Sequence, residues 1–325
     1  MVSVAMCTYN GAKYLAEQLE SIARQSHQIG ELVVCDDRST DGTIDVLKKF
    51  AADAPFPVRI HINEVNLGST RNFDKCLGLC QGEILVLCDQ DDAWMKDKVQ
   101  RQVDYLIAHP DHEAVFSNAY LIDGQGQRLD HMLWDNFGFD SERQAKWKAG
   151  KAKDLLFEGY IVTGATLTIR KRALSFLSPF PVHLSPYIHD TWIALVLSLN
   201  DKIGFISEPL LSYRVHASQQ VGFGQKLEPV TLKDRWKRDR NEKIGPIRQR
   251  AQLLKALIIA LEQVEGVSFA SLTRLRELQA HFQARANLPE NRLGRLKPAI
   301  SELAKGRYTF SSEHWWLPFL GDLFE

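Results

Sequence analysis

The sequence lacks an excess of charge of either sign. Lys plus Arg and Asp plus Glu stand at 40 each, so no global field draws the chain to nucleic acid or to an anionic membrane, and any such affinity has to be local. It also lacks long apolar runs: no stretch approaches the roughly 18 residues of a spanning helix, which leaves a soluble or peripheral protein as the expectation. No basic region, apolar signal core or cleavage site accompanies Val2-Ser3-Val4-Ala5-Met6, so export is not expected. Cysteine is scarce. Cys7, Cys35, Cys76, Cys80 and Cys88 all fall in the first third, mostly inside apolar runs, which fits buried thiols in a reducing cytoplasm better than disulfides. Cys76 and Cys80 have no second pair or nearby His to complete a zinc site. Two glycine-rich nucleotide cradles are missing as well, since no Gly-x-Gly-x-x-Gly opens the first helix and no Gly-Lys-Ser/Thr loop occurs. A nucleotide bound here would be held by side chains and a metal.

What is present is an α/β rhythm whose strands end in polar residues. Val2 to Cys7, Glu31 to Cys35, Val58 to Ile62 and Ile84 to Cys88 are short apolar runs, and the segments between them carry apolar residues at helical spacing. Alternation of this kind predicts a mainly parallel sheet flanked by helices, with ligands at the carboxyl ends of its strands. The first run leads into Thr8-Tyr9-Asn10-Gly11, the second into Asp36-Asp37-Arg38-Ser39-Thr40-Asp41-Gly42, and the fourth into Asp89-Gln90-Asp91-Asp92. Three carboxylates within four residues repel one another unless a cation, a donor or a proton compensates, and a divalent metal carrying a phosphate would do so. One of them, Asp92, is expected to cap the helix that follows, and Asp41 or Thr40 the helix after Gly42. The Asp36-Asp37 pair also suggests a phospho-acceptor signalling domain, which the downstream acids and the chain length disfavour.

Ser3 to Gly11, Glu31 to Thr43, Asn66 to Phe73 and Gly82 to Lys98 together resemble the N-terminal half of family 2 glycosyltransferases of the GT-A fold, with bacterial rhamnosyltransferase-like enzymes of surface-polysaccharide assembly as the nearest flavour. The resemblance covers roughly residues 1–225, leaving 226–325 as a helical C-terminal appendage. It implies a nucleoside-diphosphate sugar donor, dTDP-rhamnose or a UDP-sugar, and a saccharide acceptor that can be polyprenol-linked. It also implies that Thr8, Tyr9, Asn10 and Asp37 hold the nucleoside, and that Asp89 and Asp91 serve Mg²⁺ or Mn²⁺ on the diphosphate. A carboxylate suits a pyrimidine N–H, an aromatic ring suits the base, and hard oxygen ligands suit such a metal. Arg71 would lie near the phosphates as a fork of donors, or else in a surface ion pair.

Further along, Ala114 to Ser117 and Tyr120 to Ile122 read as two strands, and residues 130–158, with Trp134, Phe137, Phe139 and Trp147, as an insertion that shapes an acceptor cleft or adds to the core. Tyr160 to Ile169 reads as a strand with a central Gly164, where a backbone must approach something closely; the resemblance places this stretch beside the donor sugar. In Tyr187-Ile188-His189-Asp190 at a helix start, Asp190 fits the family's catalytic base. After a strand at Ile203 to Ile206, His216 fits a further metal or phosphate contact, and Arg214 a phosphate or carboxylate partner. Past Gly224 come basic and amphipathic helical stretches and the aromatic tail His314 to Leu320. These suggest docking at the inner face of the cell membrane, or packing on the catalytic domain or another subunit. The competing functions are a catalytically silent carbohydrate-binding or scaffold protein on the same fold, and a nucleotidyltransferase whose usual glycine-rich basic loop is missing.

Overall fold

A computed structural model describes residues 1–184, 187–217, 240–310 and 315–324. The chain forms two compact units, Met1–Phe223 and Gly224–Glu325. The first opens with β1 (Val2–Thr8), α1 (Ala12–Ala23), β2 (Glu31–Asp36), α2 (Thr43–Asp53), β3 (Val58–Ile62), α3 (Ser69–Leu79) and β4 (Ile84–Cys88). β1, β2 and β4 read as continuous apolar runs because both faces of the sheet are covered, and nearly every residue in them is buried. Leu15, Leu19 and Ile22 of α1 and Phe73, Cys76 and Leu77 of α3 recur at helical spacing and supply buried faces.

The unit continues through β5 (Ala93–Trp94), α4 (Lys98–Ala108), β6 (Ala114–Ile122), β7 (Arg128–Met132), α5 (Ser141–Lys146), α6 (Ala152–Glu158), β8 (Thr168–Arg170), α7 (Leu174–Leu177), α8 (His189–Ser198) and β9 (Ile203–Arg214). Among the described residues one sheet runs β3-β2-β1-β4-β8-β6-β9-β5, with β7 paired to β6. β3, β2, β1 and β4 are mutually parallel, as are β6 and β9, whereas β8 is antiparallel to both its neighbours and β5 to β9. The register sets Thr8 opposite Asp36 and Met6 opposite Cys88, so three strands end at one edge. β8 runs the other way, which brings the residues before it to that same edge, and Leu87 N donates to Leu167 O at 3.1 Å.

Three expectations need correction. Tyr160 to Ile169 is no continuous strand: Gly164–Thr166 makes one 3₁₀ turn and only Thr168–Arg170 joins the sheet. Local bonds take the amides a ladder would use, Thr166 N to Thr163 O and Leu167 N to Gly164 O, both 2.9 Å. The two short strands expected at 114–117 and 120–122 are one, β6, and the strand expected at Ile203 to Ile206 runs on to Arg214 as β9. A register shift lets Asn118 pair with Pro209 while Ser117 pairs with Ile206, so Ser207 and Glu208 bulge and Pro209 sits where no ladder donor is required. Of the two roles open to the 130–158 segment, Trp134, Phe139 and Trp147 take the core one, buried around Phe116 and Phe205 in edge-to-face and tilted contacts.

The second unit comprises α9 (Arg240–Leu261), α10 (Phe269–Ala286), α11 (Arg292–Ala304) and α12 (Trp316–Phe324), with a short 3₁₀ turn at Arg307–Phe310. Leu254, Leu257 and Leu261 of α9 and Leu275 and Leu278 of α10 are buried at helical spacing. Part of the expected basic helix before Arg240, and His314 of the aromatic tail, lie outside the described residues. No described helix is long and apolar enough to cross a membrane.

Candidate active site

The edge where β1 and β2 end is held by acids that bond to the chain itself. Asp36 accepts from Thr8 Oγ1 (2.7 Å), Ser39 N (2.8 Å) and Ser39 Oγ (2.6 Å). Thr8 is therefore buried and committed to Asp36, while Tyr9, next along, is 39% exposed. Asp37 is buried, and its carboxylate accepts from Asn63 Nδ2 (2.8 Å), Leu67 N (2.7 Å) and Gly68 N (2.9 Å), tying β2 to the turn before α3. Asn10 adopts a left-handed conformation, φ 49°, donates from its N to Ser39 Oγ at 2.9 Å and accepts from Thr40 N at 2.8 Å. Arg71 is exposed on the first turn of α3 and makes no ion pair among the described residues. At α2 the N-cap position falls to Gly42, and Asp41 accepts from Thr43 N at 3.0 Å instead.

A residue that the sequence reading passed over joins this edge to the next. Gln90 accepts from Tyr9 N (2.8 Å) and donates to Tyr9 O (3.1 Å), a two-point clip across 81 positions. Gly11 makes room for it, since a Cβ there would stand 2.1 Å from Gln90 Oε1. The alternation of the acidic motif hid Gln90, because nothing in a spacing tells a clip from a spacer.

After β4 the acids divide into three roles. Asp89 is pushed up to about 8, by burial first and then by the Asp91 and Asp190 charges. Asp91 Oδ2 lies 2.9 Å from His216 Nε2, and the His216 ring leans on Tyr14 with centroids 4.8 Å apart. Asp92 is fully buried and caps no helix, correcting the expectation: α4 has Asp97 at its N-cap position, whereas Asp92 Oδ1 accepts from Arg214 N at 2.9 Å. Its Oδ2 has no partner among the described residues, and burial together with the Asp91 and Asp89 charges holds its carboxyl well above the usual range. Arg214 is buried under this cluster. It donates to Asp91 O (2.7 Å) and to Glu17 Oε2 of α1 (2.5 Å) and lies over the Tyr14 ring.

A divalent cation fits what these residues offer. Asp91 Oδ2 and His216 Nε2 face each other at 2.9 Å and are of the atom types that ligate such a metal, and the adjoining Asp92 leaves its Oδ2 buried without a partner among the described residues. Among the described residues no three such side chains form a cage by themselves. A hard cation of this kind ordinarily takes one or two carboxylates and completes its shell from phosphate and water.

Asp190 lies on the first turn of α8, buried, and is bound by four donors. Tyr160 OH (2.6 Å) and Gly164 N (2.9 Å) reach Oδ2, and Thr191 N (2.6 Å) and Thr191 Oγ1 (3.2 Å) reach Oδ1. Gly164 is the close approach the sequence suggested, and what it approaches is this acid and its neighbour: an added Cβ would stand 2.8 Å from His189 Nε2 and 3.5 Å from Asp190 Cβ. His189 in turn stacks on Phe73 of α3 at 4.1 Å between centroids, fixing the start of α8. The turn that presents Gly164 is anchored from behind by Gln102 of α4. Gln102 is fully buried, donates to Thr166 O (2.7 Å), and accepts from Thr168 Oγ1 and Lys98 Nζ, both 2.8 Å.

The family model for glycosyl transferase family 2 matches residues 3–175, which contain both acidic strand ends and the Gly164 turn. The chain belongs to glycosyl transferase family 2. A dTDP-rhamnosyl transferase of Shigella flexneri, RfbG, is 26% identical over 258 residues, covering 74% of this chain and 83% of its own length. Uncharacterized mycobacterial relatives are 28% identical over 220 residues, and this chain spans 59% of their length. Among solved structures, S. aureus TarS 1–349 in complex with UDP-GlcNAc superposes with a TM-score of 0.57 at 17% identity, covering 94% of this chain and 92% of that one. The mannosyltransferase PcManGT of Pyrobaculum calidifontis, in complex with GDP-Man and Mn²⁺, gives 0.51 at 17% identity over 99% and 84%. These likenesses establish the GT-A fold for a family 2 member.

Proposed function

We propose that this protein is an inverting, divalent-metal-dependent glycosyltransferase. It moves a sugar from a nucleoside-diphosphate donor, dTDP-rhamnose or a UDP-sugar, to a saccharide or lipid-linked saccharide acceptor in cell-surface polysaccharide assembly. The observation that carries the reading is that antiparallel β8 returns the Gly164 turn, whose amide holds Asp190 Oδ2 at 2.9 Å, to the sheet edge where β1, β2 and β4 end, the last two running into acids. A base and a diphosphate-metal site at one edge are what inverting transfer requires. In this reading Tyr9, Asn10 and Asp37 border the nucleoside, Gln90 holds Tyr9 in place, and Asp91 with His216 and Asp89 holds Mg²⁺ or Mn²⁺. The bound cation would neutralise charge on the departing diphosphate. Arg71, exposed on α3, is available to the phosphates.

The acceptor hydroxyl gives its proton to Asp190 as its oxygen bonds to the anomeric carbon, and the bond to the diphosphate oxygen breaks with its electron pair on the leaving group. Attack from the face opposite the leaving group inverts that carbon, so no carboxylate nucleophile is needed. Tyr160, Gly164 and Thr191 aim the Asp190 carboxylate and hold it through proton uptake. Likeness to RfbG favours rhamnose as the sugar, and the UDP-GlcNAc and GDP-Man of the solved neighbours support a nucleoside-diphosphate donor. Calorimetry of the full chain with UDP, dTDP and GDP, each with and without Mn²⁺, tests the proposal. One nucleotide should bind at least tenfold more tightly with the metal. Binding to none, or binding indifferent to metal, overturns it.

A further inference from the structure

The balanced composition conceals a segregation of charge between the two units. Residues 1–223 carry 22 Lys and Arg against 28 Asp and Glu, whereas residues 224–325 carry 18 against 12. The smaller unit is therefore the basic one, and its two last helices turn their acids inward. α11 has a single carboxylate, Glu302, buried against His281 (3.0 Å) and paired with Lys305 and Arg307. α12 has a single carboxylate, Asp322, buried beneath Arg285, which donates to it at 2.7 and 3.1 Å, and Tyr308 OH at 2.8 Å. No acid is left on the outward face of either helix.

Those outward faces are apolar. On α11, Leu293, Leu296 and Ile300 follow an i, i+3, i+7 stripe and are 83%, 43% and 53% exposed, with Lys297 exposed beside them. On α12, Trp316, Leu320 and Phe324 follow i, i+4, i+8 at 47%, 41% and 54%, and Trp315 adds 41%. A water-facing helix surface normally carries polar residues in these positions. Apolar stripes of Trp, Phe and Leu, with Lys297 beside the α11 stripe and no acid at the exposed positions of either helix, in a unit whose sequence is net basic, match the boundary between lipid headgroups and acyl chains. We propose that the α11 and α12 faces dock this protein on a bilayer containing anionic phospholipid.

A second copy fits less well: seated on this face, it would bring two basic units together. A bilayer supplies both the apolar depth and the negative charge. The argument is independent of the transferase reading, since it uses no residue of the site.

The test is flotation of the full chain with vesicles of phosphatidylcholine alone and of phosphatidylcholine mixed with anionic phosphatidylglycerol. The protein should float with the anionic vesicles, at least tenfold more than with neutral ones, and less as salt rises. Trp316→Ser with Leu320→Ser should lower the bound fraction at least tenfold. Leu293→Gln with Ile300→Gln, on the other helix at well-exposed positions, should do the same if the first variant misfolds by circular dichroism. Absence of vesicle binding overturns the proposal, as does binding that both folded variants retain. Light scattering that shows a dimer broken by these substitutions, without vesicle binding, assigns the face to a second copy and overturns it too.

Discussion

At the scale of single residues, the four donors around Asp190 mean that its carboxylate is aimed rather than merely buried. Asp190→Asn keeps the volume and loses the proton acceptor. Transfer should fall by about 10² to 10⁴, the range of a general base, while calorimetric affinity for the donor nucleotide stays within about twofold. Full activity in that variant would remove Asp190 as the base. Gly164 makes a separate claim. Gly164→Ala puts a Cβ 2.8 Å from the buried, stacked His189 ring, so the backbone or α8 has to move. We expect a loss of about 1 to 3 kcal/mol in denaturant stability, as for other overpacked sites, and a drop in kcat with little change in nucleotide affinity. A variant as stable and as active as the parent would show that the close approach carries no constraint.

At the scale of elements, the alternation of strand and helix through Cys88 was legible because buried parallel strands and amphipathic helices leave different periods in the sequence. Legibility ended where tertiary partners decide. Nothing local tells that Gly164 starts a turn: its apolar, β-branched surroundings suit a strand, and only Asp190, 26 positions away, claims its amide. Asn118 and Pro209 look like strand breaks, yet a bulge carries the β6–β9 ladder past both. Asp92 could be expected to cap because a helix follows, but Arg214 N, 122 positions away, captures it. Gln102 shows the same limit. It reads as an ordinary polar residue of α4, while in the fold it is the buried post behind the Gly164 turn. Gln102→Leu strands Thr166 O, Thr168 Oγ1 and Lys98 Nζ without that partner, so about 2 to 3 kcal/mol of stability should be lost, with kcat reduced more than nucleotide binding. Gln102→Glu, which retains an acceptor for Thr168 and Lys98, should recover part of both. Equal effects of the two substitutions on kcat and on nucleotide affinity would reduce Gln102 to a packing residue.

At the scale of the whole molecule, the imidazoles whose titration is displaced all move the same way. His61, His112, His189 and His281 are each held below the ordinary value of 6.5, and in each case burial is the largest cause. Positive neighbours add to it at His61, and Glu302 and Asp190 oppose it at His281 and His189 without reversing it. A histidine with a depressed folded pKa binds its proton more readily in the unfolded chain. Between 6.5 and the lower folded values the unfolded state therefore holds more protons, and stability rises with pH. The contribution is intact above about pH 7 and is lost as pH falls through the imidazole range. Glu302, which burial alone would raise, is held below 4.5 by its contacts with His281, Lys305 and Arg307, and extends the loss in the same direction at more acid pH. Chemical denaturation followed by circular dichroism should give a lower midpoint at pH 5.5 than at pH 7.5. His281→Phe, which removes the imidazole inside the C-terminal helical unit, should flatten part of that slope even if it lowers stability at both pH values. A midpoint that is constant or higher at pH 5.5 would show that the buried imidazoles take up protons as freely in the fold as in the open chain.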